Sequence, residues 1–121
     1  MSYLDKIKDL YTKMAQGQVM EAFDKYYHDD VVVKEVTGET RNGKAAQREA
    51  LKKWQSSIKE LHGGGHDFFT ANEEENTTSV RSWVEATFQD GNRYKMTEVA
   101  LQKWQGDQII EEHFYYNAPG M

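Results

Sequence analysis

The second half of this sequence constrains its fold most. From His66 to Asn117 the chain is a succession of strand-length segments divided by short turn signals, with no stretch of helical periodicity between them. The segments are His66–Asn72, Thr77–Gln89, Asn92–Gln105 and Gln108–Asn117. The dividers are the polar run Glu73-Glu74-Glu75-Asn76, then Asp90-Gly91, then Gly106-Asp107. Asp-Gly between alternating segments is a strong hairpin signal. Connections this short cannot cross over to a parallel neighbour, so the region predicts a four-strand antiparallel meander.

The first half supplies the cover for such a sheet. Leu4, Ile7, Leu10, Tyr11 and Met14 recur at spacings of three and four, predicting a helix over 3–16 with Gly17 just past its end. Val19, Met20, Phe23, Tyr26 and Tyr27 predict a second short helix over 18–27, broken by His28-Asp29-Asp30. The β-branched run Val31-Val32-Val33 starts a strand. Gly38 to Gly43 reads as a loop holding Thr40, Arg41 and Asn42. A third helix is expected from Lys44 to Glu60, burying Ala46, Leu51, Trp54, Ile58 and Leu61, and ended by Gly63-Gly64-Gly65. The expected fold class is α+β: three N-terminal helices packed in the concave face of a curved mixed or antiparallel sheet, a cone. Residues 1–117 are expected to form one domain and 118–121 a frayed tail; 121 residues are enough to bury a core without staples.

Composition excludes several functions. There is no cysteine, which removes disulfides and thiolate metal sites. Lysine and arginine are scattered among acids at a net charge of −5, so no basic face for nucleic acid is expected. No apolar run approaches the roughly 20 residues of a membrane span, and no signal peptide opens the chain, so the expected location is the cytoplasm. His28 and His113 stand alone, and His62 and His66 flank the glycine run. With no HxH or HExxH spacing, no metal is expected. Neither a phosphate-cradling glycine loop nor a nucleophile elbow is present. Aromatics make up 12% of the chain, either as core filler or as the lining of a pocket.

If Asp90-Gly91 is a two-residue turn, it pairs residues whose numbers sum to 181. One sheet face then carries Val80, Val84, Ala86 and Phe88 with Thr97, Val99 and Leu101, a plain aliphatic patch. The other carries Arg81, Trp83 and Glu85 with Met96, Glu98, Ala100, Gln102 and Trp104. Pockets mix a few polar groups with aromatics, whereas interfaces have apolar centres. The mixed face is therefore expected to line the pocket. The aliphatic face, through Val84, Val99 and Leu101, is expected to join two copies. A one-residue bulge would reverse part of this. The last hairpin is open between two registers: a three-residue loop puts Ile110, Glu112, Phe114 and Tyr116 beside Glu98, and a strict two-residue turn puts Glu111, His113 and Tyr115 there.

Two local patterns carry a resemblance. The first is Tyr26-Tyr27-His28-Asp29-Asp30-Val31, followed by Val33-Lys34-Glu35, Gly38 and Arg41-Asn42-Gly43-Lys44-Ala45-Ala46. The second is Trp104-Gln105-Gly106-Asp107-Gln108-Ile109, followed by Phe114-Tyr115-Tyr116-Asn117. With the element order, they make nearly the whole chain resemble the nuclear transport factor 2-like superfamily, in its SnoaL-like and ketosteroid-isomerase-like branches. The resemblance implies a general base at Glu35, a carboxylate that moves a proton between carbons next to a carbonyl, although Val36 stands where a proline often follows. It implies an oxyanion tyrosine at Tyr11. The position of the partner acid reads Ala100, with Glu98 two residues earlier on the same face. It also favours the Glu112 parity in the last strand. Two acids in one apolar pocket cannot both ionise cheaply, so either one stays protonated or both pair with Arg81.

Glu35, Tyr11, Glu98 and Glu112 are thus the expected catalytic set. Trp83, Met96, Gln102, Phe114, Tyr116, Tyr27 and Trp54 are the expected ligand contacts. The expected activity is a cofactor-free isomerase, dehydratase or cyclase acting on a small apolar carbonyl compound. A non-catalytic binding cone and a dimeric interaction module are the alternatives for this fold.

Overall fold

The computed structural model describes residues 1–117; the expected tail over 118–121 lies outside the described residues. The order is α1 (Tyr3–Ala15), α2 (Val19–Tyr26), β1 (Tyr27–Lys34), β2 (Thr40–Asn42), α3 (Lys44–Ser57), β3 (Ile58–Asn72), β4 (Thr77–Phe88), β5 (Arg93–Gln105) and β6 (Gln108–Tyr116). One six-stranded sheet runs β2-β1-β6-β5-β4-β3. All neighbours are antiparallel except β1 and β6, which are parallel. The expected α+β class with a mixed sheet is what forms.

Each helix end has its own chemical cause. Ser2 caps α1 by accepting the Asp5 N–H at 3.0 Å. Glu73, from the turn between β3 and β4, accepts the N–H groups of Tyr3 and Leu4 at 2.8 and 3.1 Å. A carboxylate there meets both the unpaired amides and the positive end of the helix dipole. The acidic run 73–75 is therefore more than the solvated turn its composition suggests. Gly17 follows α1 at φ +82°, the left-handed conformation that closes helices.

The elements between the helices depart from the sequence reading. The second helix ends at Tyr26, before His28-Asp29-Asp30 as expected, but these three residues already belong to β1, which begins at Tyr27 and not at Val31, and Thr40–Asn42 pair with that strand as β2. Helix α3 stops at Ser57, and Gly63-Gly64-Gly65 lie inside β3 instead of ending the helix. The glycines are there for close approach. A Cβ on Gly65 would sit 2.7 Å from Trp83 Nε1, and one on Gly63 would sit 3.3 Å from Trp83 Cη2. The indole of β4 lies flat across the bare stretch of β3, with Lys95 Nζ 4.7 Å from its ring centre. The expected buried stripe of α3 fails with the boundary: Trp54 is 41% and Leu61 63% exposed, and the buried residue of this helix is Gln47.

Two turns set which side chains face inward. Gln89-Asp90-Gly91 form a three-residue hairpin loop with Gly91 at φ +86°, a common three-residue form. Partners across β4 and β5 then sum to 180, as in Val80↔Ala100 and Ser82↔Glu98. The slip of one residue flips β4 relative to β5. Val80, Val84 and Ala86 join Glu98, Ala100 and Gln102 on the concave face. Arg81, Trp83 and Glu85 join Thr97, Val99 and Leu101 on the outer face. Trp83 is thus no pocket residue and Val84 no part of an outer face, which corrects both expectations. Arg81 pairs with Asp67 at 2.7 Å and reaches neither Glu98 nor Glu112.

The last hairpin uses a two-residue turn at Gly106-Asp107 and then a bulge between Lys103 and Trp104, across from Ile110. The bulge restores the parity that the tight turn would have lost. Glu112, Phe114 and Tyr116 pair with Gln102, Ala100 and Glu98, and Ile109 takes the buried place expected of Ile110. The core, with Ile7, Leu10, Phe23, Tyr26, Val31, Val33, Val80, Trp104 and Ile109 at its centre, lies between the helices and this concave face.

Candidate functional site

The concave face brings together the acids that the sequence places far apart. Val33 pairs with Glu112 across the parallel β1–β6 junction, so Glu35, two residues beyond Val33, continues the same inward row. Gln102 pairs with Glu112, and Glu98 lies four residues before Gln102 on the same face of β5. Tyr11 comes from α1 and is buried against the rings of His66 and Phe69, at centroid distances of 5.0 and 5.8 Å. Tyr27 enters from the start of β1 and Tyr116 from the end of β6.

The three acids have different surroundings. Glu112 is 1% exposed and has both oxygens engaged: Tyr27 donates its O–H to Oε1, and Gln102 Nε2 donates to Oε2 at 2.8 Å. Burial pushes its carboxyl up, against those two donors, which pull it down. Glu98 is pushed up to about 7, by burial first and then by the charges of Glu112 and Glu35, and no donor among the described residues opposes them. Glu35 is raised by burial and held back by Arg41, whose Nη2 lies 3.4 Å from Oε1. Its other oxygen, Oε2, is buried without a hydrogen-bond partner among the described residues.

Arg41 is a member of this site that the sequence reading placed only in a loop. Its Nη1 donates to Glu39 at 2.6 Å and its Nε to Gln47 Oε1 at 2.7 Å, so the guanidinium is held on three sides. Gln47 is buried on α3, where a polar residue at that depth needs such a partner. An Arg-Asn-Gly run gives no sign of this pairing, because the strand it makes is three residues long. The phenols of Tyr11 and Tyr27 are raised well above their usual range by burial and by the neighbouring glutamates, so both stay protonated donors.

Of the expected ligand contacts, Tyr27, Met96, Gln102, Phe114 and Tyr116 lie on the concave side. Trp54 stands beside the β4–β5 hairpin, its ring 5.5 Å from that of Phe88, which in turn is 5.8 Å from Tyr94. With Met96 these rings line a groove of about 400 Å³. A second depression, of about 330 Å³, lies apart from the acids, beside Lys6, Lys25 and Asp107. Among the described residues no three His, Asp or Glu side chains come together as a metal site, and no helix is long and apolar enough to cross a membrane.

The comparisons with known proteins agree with this architecture. The profile of the SnoaL-like domain matches residues 3–116. A candidate SnoaL-like polyketide cyclase from Mesorhizobium loti is 30% identical, over 96% of this chain and 100% of that one, with a TM-score of 0.84. A candidate polyketide cyclase from Pseudomonas putida shares the fold at 20% identity and a TM-score of 0.81, over 97% of this chain and 92% of its own. A ketosteroid-isomerase-like protein from Catenulispora acidiphila, solved with trimethylamine, shares it at 12% identity and a TM-score of 0.67, over 79% and 73%. No curated protein matches the chain. With its helices in the hollow of a mixed sheet and its profile match from end to end of that unit, this chain belongs to the SnoaL-like domain family of the nuclear transport factor 2-like superfamily.

Proposed function

We propose that the concave face is the active site of a cofactor-free proton-transfer enzyme acting on a small apolar carbonyl compound. The observation that carries this reading is the grouping of three glutamates on one inward face, with Tyr11 of α1 beside them and a buried oxygen of Glu35 that has no partner among the described residues. Glu35 serves as the base: it removes a proton from the carbon next to the carbonyl, breaking a C–H bond and leaving an enolate. Tyr11 and the protonated form of Glu98 donate hydrogen bonds to the developing oxygen charge. The carbonyl re-forms when the Glu35 proton returns to another carbon. Glu98 suits the donor role better than Glu112, because both oxygens of Glu112 are occupied. Acid and base roles go to groups whose environments separate their proton affinities, and here Arg41 steadies the Glu35 charge while nothing steadies that of Glu98.

The test is a panel of β,γ-unsaturated ketones followed by the ultraviolet absorption of the conjugated product. Glu35→Gln should lower turnover by about 10²-fold or more, the usual contribution of a positioned base, while leaving the unfolding midpoint near that of the parent. Unchanged turnover would remove Glu35 from the base role. If the parent turns over none of the ketones but is stabilised by them against heat, the site is a binding cone, the reading favoured if the Trp54–Phe88–Tyr94 groove proves to be where ligands lodge.

We further propose that two copies pair through the outer sheet face, where Val99, Leu101, Trp83 and Tyr115 crowd together. Leu101→Glu should shift the sedimentation coefficient of a dimer to that of a monomer; a variant that keeps the parent's mass in solution would place the interface elsewhere.

A further inference from the structure

The hydrogen bonds around the two deepest acids are not symmetric, and their direction can be read from one end. The indole of Trp104 has an N–H to give and nothing to accept with. It donates to Thr78 Oγ1 at 2.9 Å. The Thr78 hydroxyl hydrogen then donates to Gln102 Oε1 at 2.7 Å. With its oxygen so engaged, the Gln102 amide has one of its two possible orientations, and its NH₂ faces Glu112 Oε2 at 2.8 Å. Tyr27 donates to the remaining Glu112 oxygen. Gln102, Thr78, Glu112 and Trp104 are all essentially closed to bulk solvent, where each hydrogen bond counts for more than it would in water. Glu98, on the neighbouring strand and less deeply placed, receives no comparable donor among the described residues.

We infer that Thr78 and Gln102 are positioning residues: with Trp104 they form a one-way relay that holds Glu112 as an ionised acceptor and leaves Glu98 as the acid that carries a proton. A carboxylate that accepts two buried donors is favoured in its charged form, and a neighbouring acid without donors is left to carry the proton. Charged and titratable groups face the pair from every wall: Tyr11 from α1, Tyr27 from β1, Glu35 beyond it, Arg41 from β2, His66 of β3 beside Tyr11, and Tyr116 from β6. The relay and the Tyr27 hydroxyl together distinguish Glu112 from Glu98 by hydrogen bonding, and only the relay has its direction set by a chain of buried side chains. The use of the Glu98 proton in a reaction rests on the proton-transfer reading above; the protonation pattern itself does not.

The experiment is a carbon-13 NMR titration of the whole protein labelled at the glutamate carboxyl carbon. Glu98→Gln and Glu112→Gln would assign the two buried signals. In the parent, the Glu98 signal should titrate near neutrality, and Glu112 should remain ionised to a pH at least one unit lower. Thr78→Val should free the Gln102 amide to turn its oxygen toward Glu112, raising the Glu112 midpoint and closing or reversing that gap. Thr78→Ser keeps the hydroxyl and should keep the parent's order. A parent in which Glu112 takes up its proton at the higher pH would overturn the inference without any variant having to fold. So would a folded Thr78→Val that titrates as the parent does. The expected order in a protein that turns over no ketone would leave the relay standing and remove only the catalytic reading.

Discussion

Replacing Trp104 with alanine should destabilise the protein by about 3–5 kcal/mol, the usual cost of emptying a buried aromatic site. Trp104 is 2% exposed, among the core residues on the concave side of β5. Its ring lies 5.4 Å from that of Tyr3 and 5.9 Å from that of Tyr26, so it joins α1 and α2 to the sheet. Its N–H also starts the chain of hydrogen bonds through Thr78 to Gln102. Alanine would open a cavity under both helices and leave the Thr78 oxygen without its donor. The unfolding temperature should fall on the order of 15 °C. Trp54→Ala is the contrast. That ring is nearly half in solvent, beside the β4–β5 hairpin, and its loss should cost about 1 kcal/mol or less. Equal losses from the two variants, read by urea or heat, would mean that the core does not centre on Trp104.

The second large effect is a stability that falls as the solution is made more basic. Glu98 is raised from an ordinary 4.5 to about 7, chiefly because its charged form is buried. Between those values the folded protein binds more protons than the unfolded chain, so unfolding releases protons and is favoured by rising pH. Stability should therefore decline across roughly pH 4.5 to 7 and level off above it. One such group changes stability by up to about 1.4 kcal/mol per pH unit within the window. Glu98→Gln cannot ionise. It should flatten the decline and be more stable than the parent at pH 8 by about 2–3 kcal/mol, with little gain at pH 5. Urea midpoints at the two pH values decide this, and a variant that keeps the parent's full pH dependence would show that Glu98 is not the group responsible. Glu112 and Glu35 contribute with the same sign, and His66, whose imidazole burial holds below its usual value, with the opposite one; the slope that remains in the variant is their sum.

Much of this architecture is legible in the residues. The four-strand meander, the two opening helices and the inward parity of Glu98, Glu112, Phe114 and Tyr116 follow from periodicity, turn chemistry and family resemblance. What could not be read has a common physical origin. Gly63-Gly64-Gly65 has the composition of a break, but it is the bare track on which Trp83 lies, and that partner is about twenty residues away. Asp90-Gly91 admits a two-residue or a three-residue loop, and one residue decides which face of β4 Trp83 and Val84 occupy. The Glu112 parity needed a bulge to survive a tight turn. Arg41 has no local signature: its partners lie only two to six residues away, but a strand end, a loop and a helix must fold around it to bring them in. In each case the outcome is decided by how segments meet in space, which the composition of the run itself does not encode.

The position of β1 beside β6 has a consequence for the order in which the molecule can be made. Until the final strand is in place, the three residues of β2 are the only sheet neighbour of β1. The meander β3–β6 can zip through successive hairpins, but the junction that sets Val33 against Glu112 closes a loop of some eighty residues, the slow kind of contact in folding. A growing chain therefore has no half-built version of this site. The acids, the arginine and the tyrosines meet only when the first strand is clasped by the last.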